Sequence, residues 1–216
     1  MDQAISYLKR LSSNNNREWF NDNKKEFESI KSYFEEFSQL LISGISVFDS
    51  SISELKPKDT MFRIYRDIRF SKDKTPYKTN MGLFFVPGGK KSNNAGYYLH
   101  IEPGNSFVGG GNHMPQADSL KKIREEIFSN PQEFKNILED KQFQDVFGNL
   151  QGDKLSRPPK GFDPDFEDIE FLKFKSFTVF QKLSDTEVLS KDLLNNVIEK
   201  FRIMKDFNAF LNKAIS

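Results

Sequence analysis

Residues 61–78 read Met-Phe-Arg-Ile-Tyr-Arg-Asp-Ile-Arg-Phe-Ser-Lys-Asp-Lys-Thr-Pro-Tyr-Lys, and this stretch sets the expectation of a sheet protein with one charged face. Phe62, Ile64, Ile68 and Phe70 share one parity, while Arg63, Tyr65, Asp67 and Arg69 share the other, which is the period of a half-buried strand. Ser71-Lys72-Asp73-Lys74 then breaks the alternation, and Thr75-Pro76 forces an extended or turned backbone. Six cations (Arg63, Arg66, Arg69, Lys72, Lys74 and Lys78) stand against Asp67 and Asp73, a local net of +4 in a chain whose total is +1. A guanidinium-rich strand running into a lysine loop suits anion binding, but it identifies no reaction. Arg66 falls on the apolar parity, which implies a bulge near Asp67 or a buried, paired guanidinium.

Strand signals continue downstream. Met81–Val86 is closed by Pro87-Gly88-Gly89, a polar loop leads into Gly96–Glu102, and Pro103-Gly104-Asn105 turns the chain into a strand from Ser106 that ends in Gly109-Gly110-Gly111. Such short connections make neighbours antiparallel, so a meander of about four strands is expected. Ser176–Gln181 reads as one later strand.

Helices flank the strands. Ile5, Leu8 and Leu11 mark a short one over 3–11. Asn15 with Glu18 three residues later matches a capping box, and Phe20, Phe27, Ile30, Phe34, Phe37, Leu41 and Ile45 then recur at helical steps to about residue 46. Residues 49–59 form a polar connector. Beyond the meander, helices are predicted over 116–129, from the Asn130-Pro131 cap to about 139, and as a turn within 165–172, with Arg157–Pro164 as an irregular basic loop. Ser184 and Glu187 open a C-terminal helix, or two joined helices, to about 213. Without internal repeats or a second boundary, residues 1–216 read as a single α+β domain, an antiparallel sheet packed with N- and C-terminal helices.

Composition bounds the function. Phenylalanine dominates the prospective core, with 23 Phe against one Trp and six Tyr, and charged residues (29%) nearly cancel. That balance argues against a chain that coats nucleic acid or stays disordered. The absence of cysteine excludes disulfides, zinc–thiolate sites and thiol nucleophiles. The first residues lack a signal-peptide pattern, and no apolar stretch approaches the ~18 residues of a membrane span. A cytoplasmic protein with no membrane partner is the expectation.

Several strings together resemble a known family. They are Asn15–Phe20 followed by Asn23-Lys24, the run from Arg63 to Lys78, the strand Tyr97–Glu102, Gly109–Gly111 with Pro115, Leu120, Ile123 and Arg124, and the region from Arg157–Asp163 to Lys175–Phe177. The resemblance is to a bacterial and fungal family known as domain of unknown function 2461, and it spans nearly the whole chain. It implies membership and fold and carries no mechanism. Two positions depart from the pattern, His113 in place of an aromatic and Phe166 after Asp165 in place of His-Pro, which argues against a role for His113.

The face opposite the apolar parity collects the candidate chemistry. Tyr98, His100 and Glu102 share a parity, and Arg63, Asp67 and Arg69 join them if the sheet packs its apolar side on helices; a solvated polar sheet face would show the same pattern. Arginine's planar fork suits phosphate or carboxylate. The leading expectation is therefore a pocket for a phosphorylated or carboxylate small molecule, with or without catalysis. Arg63, Arg66 and Arg69 form its anion clamp, Lys72, Lys74 and Lys78 border it, and Tyr98, His100, Glu102 and Asp67 orient the ligand or exchange protons with it. One His and an alternate Glu lack a third ligand, so no metal centre is assigned; Asp67 and Glu102 are the pair a hard cation would use. Gly109–Gly111 lacks the Walker lysine and the dinucleotide spacing, and reads as relief of crowding at a strand end. Two other readings stay open. One is nucleic-acid binding, with the lysine loop on phosphates and Tyr77 or Tyr98 stacking on bases. The other is a partner-binding protein whose arginines pair internally with Asp67, Asp73 and Glu102. No cofactor is indicated.

Overall fold

A computed structural model describes residues 1–216. Its N-terminal layer is helical: α1 (Asp2–Ser13), α2 (Arg17–Asp22) and α3 (Lys24–Ser46). The aromatic and aliphatic stripe from Phe20 to Ile45 is buried throughout. The long helix expected there is nevertheless broken at Asn23, whose side chain donates to the Trp19 carbonyl at 2.8 Å and closes α2 before α3 begins. The cap of α2 is Asn16, which accepts from Trp19 N–H at 2.9 Å, in place of the expected Asn15. The connector holds a short 3-10 turn at Ser50–Ile52 and α4 (Pro57–Thr60).

The sheet has four strands, β1 (Met81–Phe85), β2 (Gly96–Ile101), β3 (Ser106–Asn112) and β4 (Phe177–Leu183), antiparallel in the order β1-β2-β3-β4. The expected later strand thus becomes β4, which pairs along the whole of β3. Between them lie α5 (Ala117–Ser129), α6 (Pro131–Glu139), α7 (Lys141–Phe147) and α8 (Ile169–Leu172). Of these, α7 was not anticipated; Asp140 caps it by accepting from Phe143 N–H at 3.0 Å. The chain closes with α9 (Asp185–Leu189), opened by the Ser184/Glu187 capping box, and α10 (Leu193–Ile215).

One strand expectation fails. Residues 61–70 form no strand: Met61 only bridges Leu83 at the free edge of β1, and the chain then pairs with its own continuation. Arg66 N–H donates to the Pro76 carbonyl at 2.9 Å, Lys78 N–H to the Ile64 carbonyl at 2.8 Å, and Tyr65 bridges Tyr77. Proline cannot donate to a continuing ladder, so this small arch stops where Pro76 stands. Of the four apolar residues expected on one buried face, only Ile64 is buried, and Phe70 is 96% exposed.

The helices pack on one face of the sheet. Phe201 of α10 lies 5.3 Å from Tyr97 and 6.1 Å from Phe85, ring centre to ring centre, and Leu83, Leu99, Val108 and Val179 complete that buried face. The glycine run lies at the end of β3, with Asn112 the strand's last residue, Gly111 pairs with Thr178, and a Cβ at any of the three would crowd a neighbouring strand or helix. Phenylalanines of α6, α7 and α10 meet beneath it, with Phe134, Phe143, Phe207 and Phe210 all buried. No helix is long and apolar enough to cross a membrane.

Candidate functional site

The opposite face of the sheet is set by strand register. Gly82, His100, Phe107 and Lys182 form one row, and Phe84, Tyr98, Gly109 and Phe180 form the next. Because side chains alternate along a strand, burying Tyr97, Leu99 and Ile101 under α10 obliges Tyr98 and His100 to point away from it. Gly82 decides how those two meet. A Cβ there would stand 2.7 Å from the Tyr98 hydroxyl, so only glycine leaves the ring room to lean over β1 toward His100.

The result is a hydrogen-bonded chain. The Tyr98 hydroxyl lies 3.0 Å from His100 Nδ1, and His100 Nε2 lies 3.4 Å from Glu102 Oε2. An ionised carboxylate only accepts, so Nε2 carries the imidazole proton and Nδ1 accepts from Tyr98. Glu102 is held by three donors, the Thr79 hydroxyl at 2.8 Å, the Asn105 amide at 3.0 Å and His100. The imidazole also stacks on Phe107, 4.7 Å away with planes 14° apart.

The environment shifts each group. Burial pushes the Tyr98 phenol up to about 12, with Glu102 adding to it. Burial also lowers His100 below its ordinary value of 6.5, although Glu102 opposes that shift. For Glu102 burial works against ionisation, but hydrogen bonds from Asn105, Thr79 and His100 outweigh it and hold the carboxyl below its usual range. These directions give a pH prediction. Unfolded His100 takes a proton in the ordinary histidine range, whereas folded His100 resists it until the pH is lower. Its stabilising contribution is therefore complete above that range and is lost as the pH falls through it; Glu102 adds a further loss below the carboxylate range. The melting temperature should decline from neutral pH to pH ~5.5, and His100→Gln, which cannot titrate, should decline less. Identical declines in both proteins would rule His100 out as the cause.

The basic segment does not converge as one clamp. Arg66 pairs with Asp73 and donates to the Thr75 side chain and carbonyl. Arg69 and Asp67 form an exposed pair at 2.7 Å, which holds the Asp67 carboxyl down at about 2 through hydrogen bonds from Arg69. Lys74 donates to the Ile68 carbonyl at 3.0 Å and borders an open depression of about 560 Å³ beside Asn16 and Arg17. Lys72 is exposed, as is His113. Lys78 differs from all of these. It is half-buried, its charge bears on His100, and burial followed by the nearby Arg63 lowers its pKa. Neither Lys78 nor Arg63 belongs to any ion pair, whereas Arg66 and Arg69 each hold a carboxylate.

Tyr98, His100, Glu102 and Lys78 are therefore brought together with Arg63 nearby, while Asp67, Arg66, Arg69 and Lys74 are engaged within the arch. Sequence reading missed Thr79 and Asn105, which orient Glu102, and the aromatic neighbours Phe62, Phe84, Phe107 and Phe180. The last three lay on the outward parity of their strands and were legible from alternation; the contacts of Phe62, Thr79 and Asn105 arise only from how the loops fold back. No group of three or more His, Cys, Asp or Glu side chains is placed to hold a metal ion.

The family model described as conserved hypothetical protein (DUF2461) matches residues 3–210. No curated protein and no solved structure matches the chain.

Proposed function

We propose, for a chain that belongs to the DUF2461 family of conserved hypothetical proteins, that it binds a phosphorylated or carboxylate small molecule on the open sheet face, at Lys78 and beside Tyr98, His100 and Glu102. The observation that carries this reading is the Lys78 ammonium, half-buried and without a carboxylate partner beside the equally unpaired Arg63. Burying a charge without a partner is unfavourable, and two like charges side by side add to the cost. A bound anion relieves both. The Arg66–Asp73 and Arg69–Asp67 pairs have no such need, so Lys78 and Arg63 are the anion-binding groups of this reading. His100 supplies the acid–base group, an imidazole that burial holds below its ordinary range and that therefore meets a ligand as a neutral base. Since both its ring nitrogens are engaged, exchange with a ligand would run through the Tyr98 hydroxyl.

The test is a thermal-shift comparison against inorganic phosphate, sugar phosphates, nucleotides and dicarboxylates, on the wild type, Lys78→Ala and Arg69→Ala. Near-saturating ligand should raise the wild-type melting temperature by roughly 5–10 °C. Lys78→Ala should lose that rise and Arg69→Ala should keep it. Equal stabilisation of all three proteins, or none from any anion, would sink the reading.

A further inference from the structure

We infer that the molecule bound at this face carries a planar ring as well as its anionic group, the chemistry of a free nucleoside monophosphate; the inference rests on the anion-binding reading above. Lys78 and Arg63 alone would suffice for inorganic phosphate or a sugar phosphate. The face offers more than they need. A contiguous run of rings crosses all four strands: Phe84 lies 6.3 Å from Tyr98, Tyr98 lies 5.6 Å from Phe107, and Phe107 lies 5.6 Å from Phe180. Phe62 closes the near end, 6.2 Å from Tyr98. The two ends are the open ones, Phe62 at 39% and Phe180 at 41% exposed, and no helix is packed there as α10 is on the other side. Rings that run unbroken across a sheet face and open to water at both ends suit a bound flat molecule, where an isolated exposed ring would not.

The charges adjoin the rings. Lys78 Nζ lies 5.3 Å from the centre of the Phe62 ring. Lys90 approaches the same ring at 5.8 Å, but its ammonium already donates to the Lys58 and Met61 carbonyls, which leaves Lys78 for the ligand. An anion at Lys78 thus sets the remainder of its molecule over Phe62 and Tyr98. There a flat ring covers apolar surface, and its polar edge meets the hydroxyls of Tyr98 and Thr79. Charge complementarity selects a free nucleotide over a strand. Two unpaired cations match one phosphate, the arch cations Arg66 and Arg69 are neutralised internally, and the whole chain is only +1, so no basic track follows a polynucleotide backbone.

Isothermal titration of the full chain against AMP, UMP, ribose 5-phosphate, inorganic phosphate and a short oligothymidylate tests this, at low and moderate salt. The nucleotides should bind roughly tenfold or more tightly than ribose 5-phosphate. Phe62→Leu, which removes the flat ring but keeps apolar bulk beside Lys78, should remove that advantage while leaving ribose 5-phosphate affinity in place, whereas Phe180→Ala, three ring-to-ring steps away on β4, should keep it. Ribose 5-phosphate binding as well as AMP and UMP, with Phe62→Leu inert, would overturn the ring and leave the anion site standing. Binding of no probe would overturn both. Tighter, steeply salt-dependent binding of the oligonucleotide would replace the free nucleotide with a strand.

Discussion

Gly111→Ala is expected to destabilise the protein by roughly 3–5 kcal/mol, the sum of backbone strain and overpacking. Gly111 holds φ at 99°, a conformation that side chains with a Cβ rarely adopt. The added methyl would also overlap the Phe177 carbonyl of β4 and stand 2.9 Å from the Phe207 ring of α10. Neither neighbour can give way easily. Phe177 belongs to the ladder that pairs β3 with β4, and Phe207 is fully buried among the rings of α6 and α7. Urea unfolding checks the expectation, with Gly104→Ala as the control. Gly104 has φ 72° but nothing within 4 Å of its would-be Cβ, so it should lose only about 1–2 kcal/mol. Equal losses at the two positions would mean that the close approach of α10 and β4 contributes nothing.

Asn15→Ala should cost about 2–3 kcal/mol and weaken anion binding with it. The Asn15 side chain acts as one rung of a ladder. Its amide donates to the Tyr77 carbonyl at 2.9 Å, and its oxygen accepts from Tyr77 N–H at 3.1 Å. Removing it strands two backbone groups at a buried residue whose ring stacks on Phe20, 4.0 Å between centres. Lys78 is the next residue, and its N–H closes the arch onto Ile64, so loosening Tyr77 frees the ammonium from its place beside His100. Urea unfolding measures the first effect and the anion-dependent thermal shift the second, while faster amide exchange at residues 66 and 78 would locate the damage. A cost below about 0.5 kcal/mol with unchanged exchange would assign the arch to the Phe20–Tyr77 stack alone.

Two asparagines, Asn15 and Asn212, show where sequence reasoning stops. Asn15 and Asn16 both suit a helix start by local chemistry, and a neighbour 62 residues away decides between them. Asn212 makes the same kind of clamp on Ala95, with its oxygen accepting from Ala95 N–H at 2.7 Å and its amide donating to the Ala95 carbonyl at 3.1 Å, although helical periodicity records it only as one more polar position of α10. The α+β class, the buried faces of α3 and α10, the outward parity of Tyr98 and His100 and the Ser184/Glu187 cap were readable because each rests on residues within a few positions of one another.

Residues 61–70 mark the boundary. Alternation along the stretch was real, and by itself it determined a basic segment of extended backbone. Whether that segment joined the sheet depended on what stood across from it. Past Phe62 the Arg66 N–H met the Pro76 carbonyl and the Ile64 carbonyl accepted from Lys78 N–H, while Asn15 pinned Tyr77, so an arch formed, Arg66 and Arg69 found carboxylates within it, and Lys78 was left unpaired. Sequence alone thus determined the periods, the caps and which face of β2 is polar, since those follow from local geometry. Only the tertiary structure decided which cations keep a free charge, because that depends on partners that distance along the chain does not reveal.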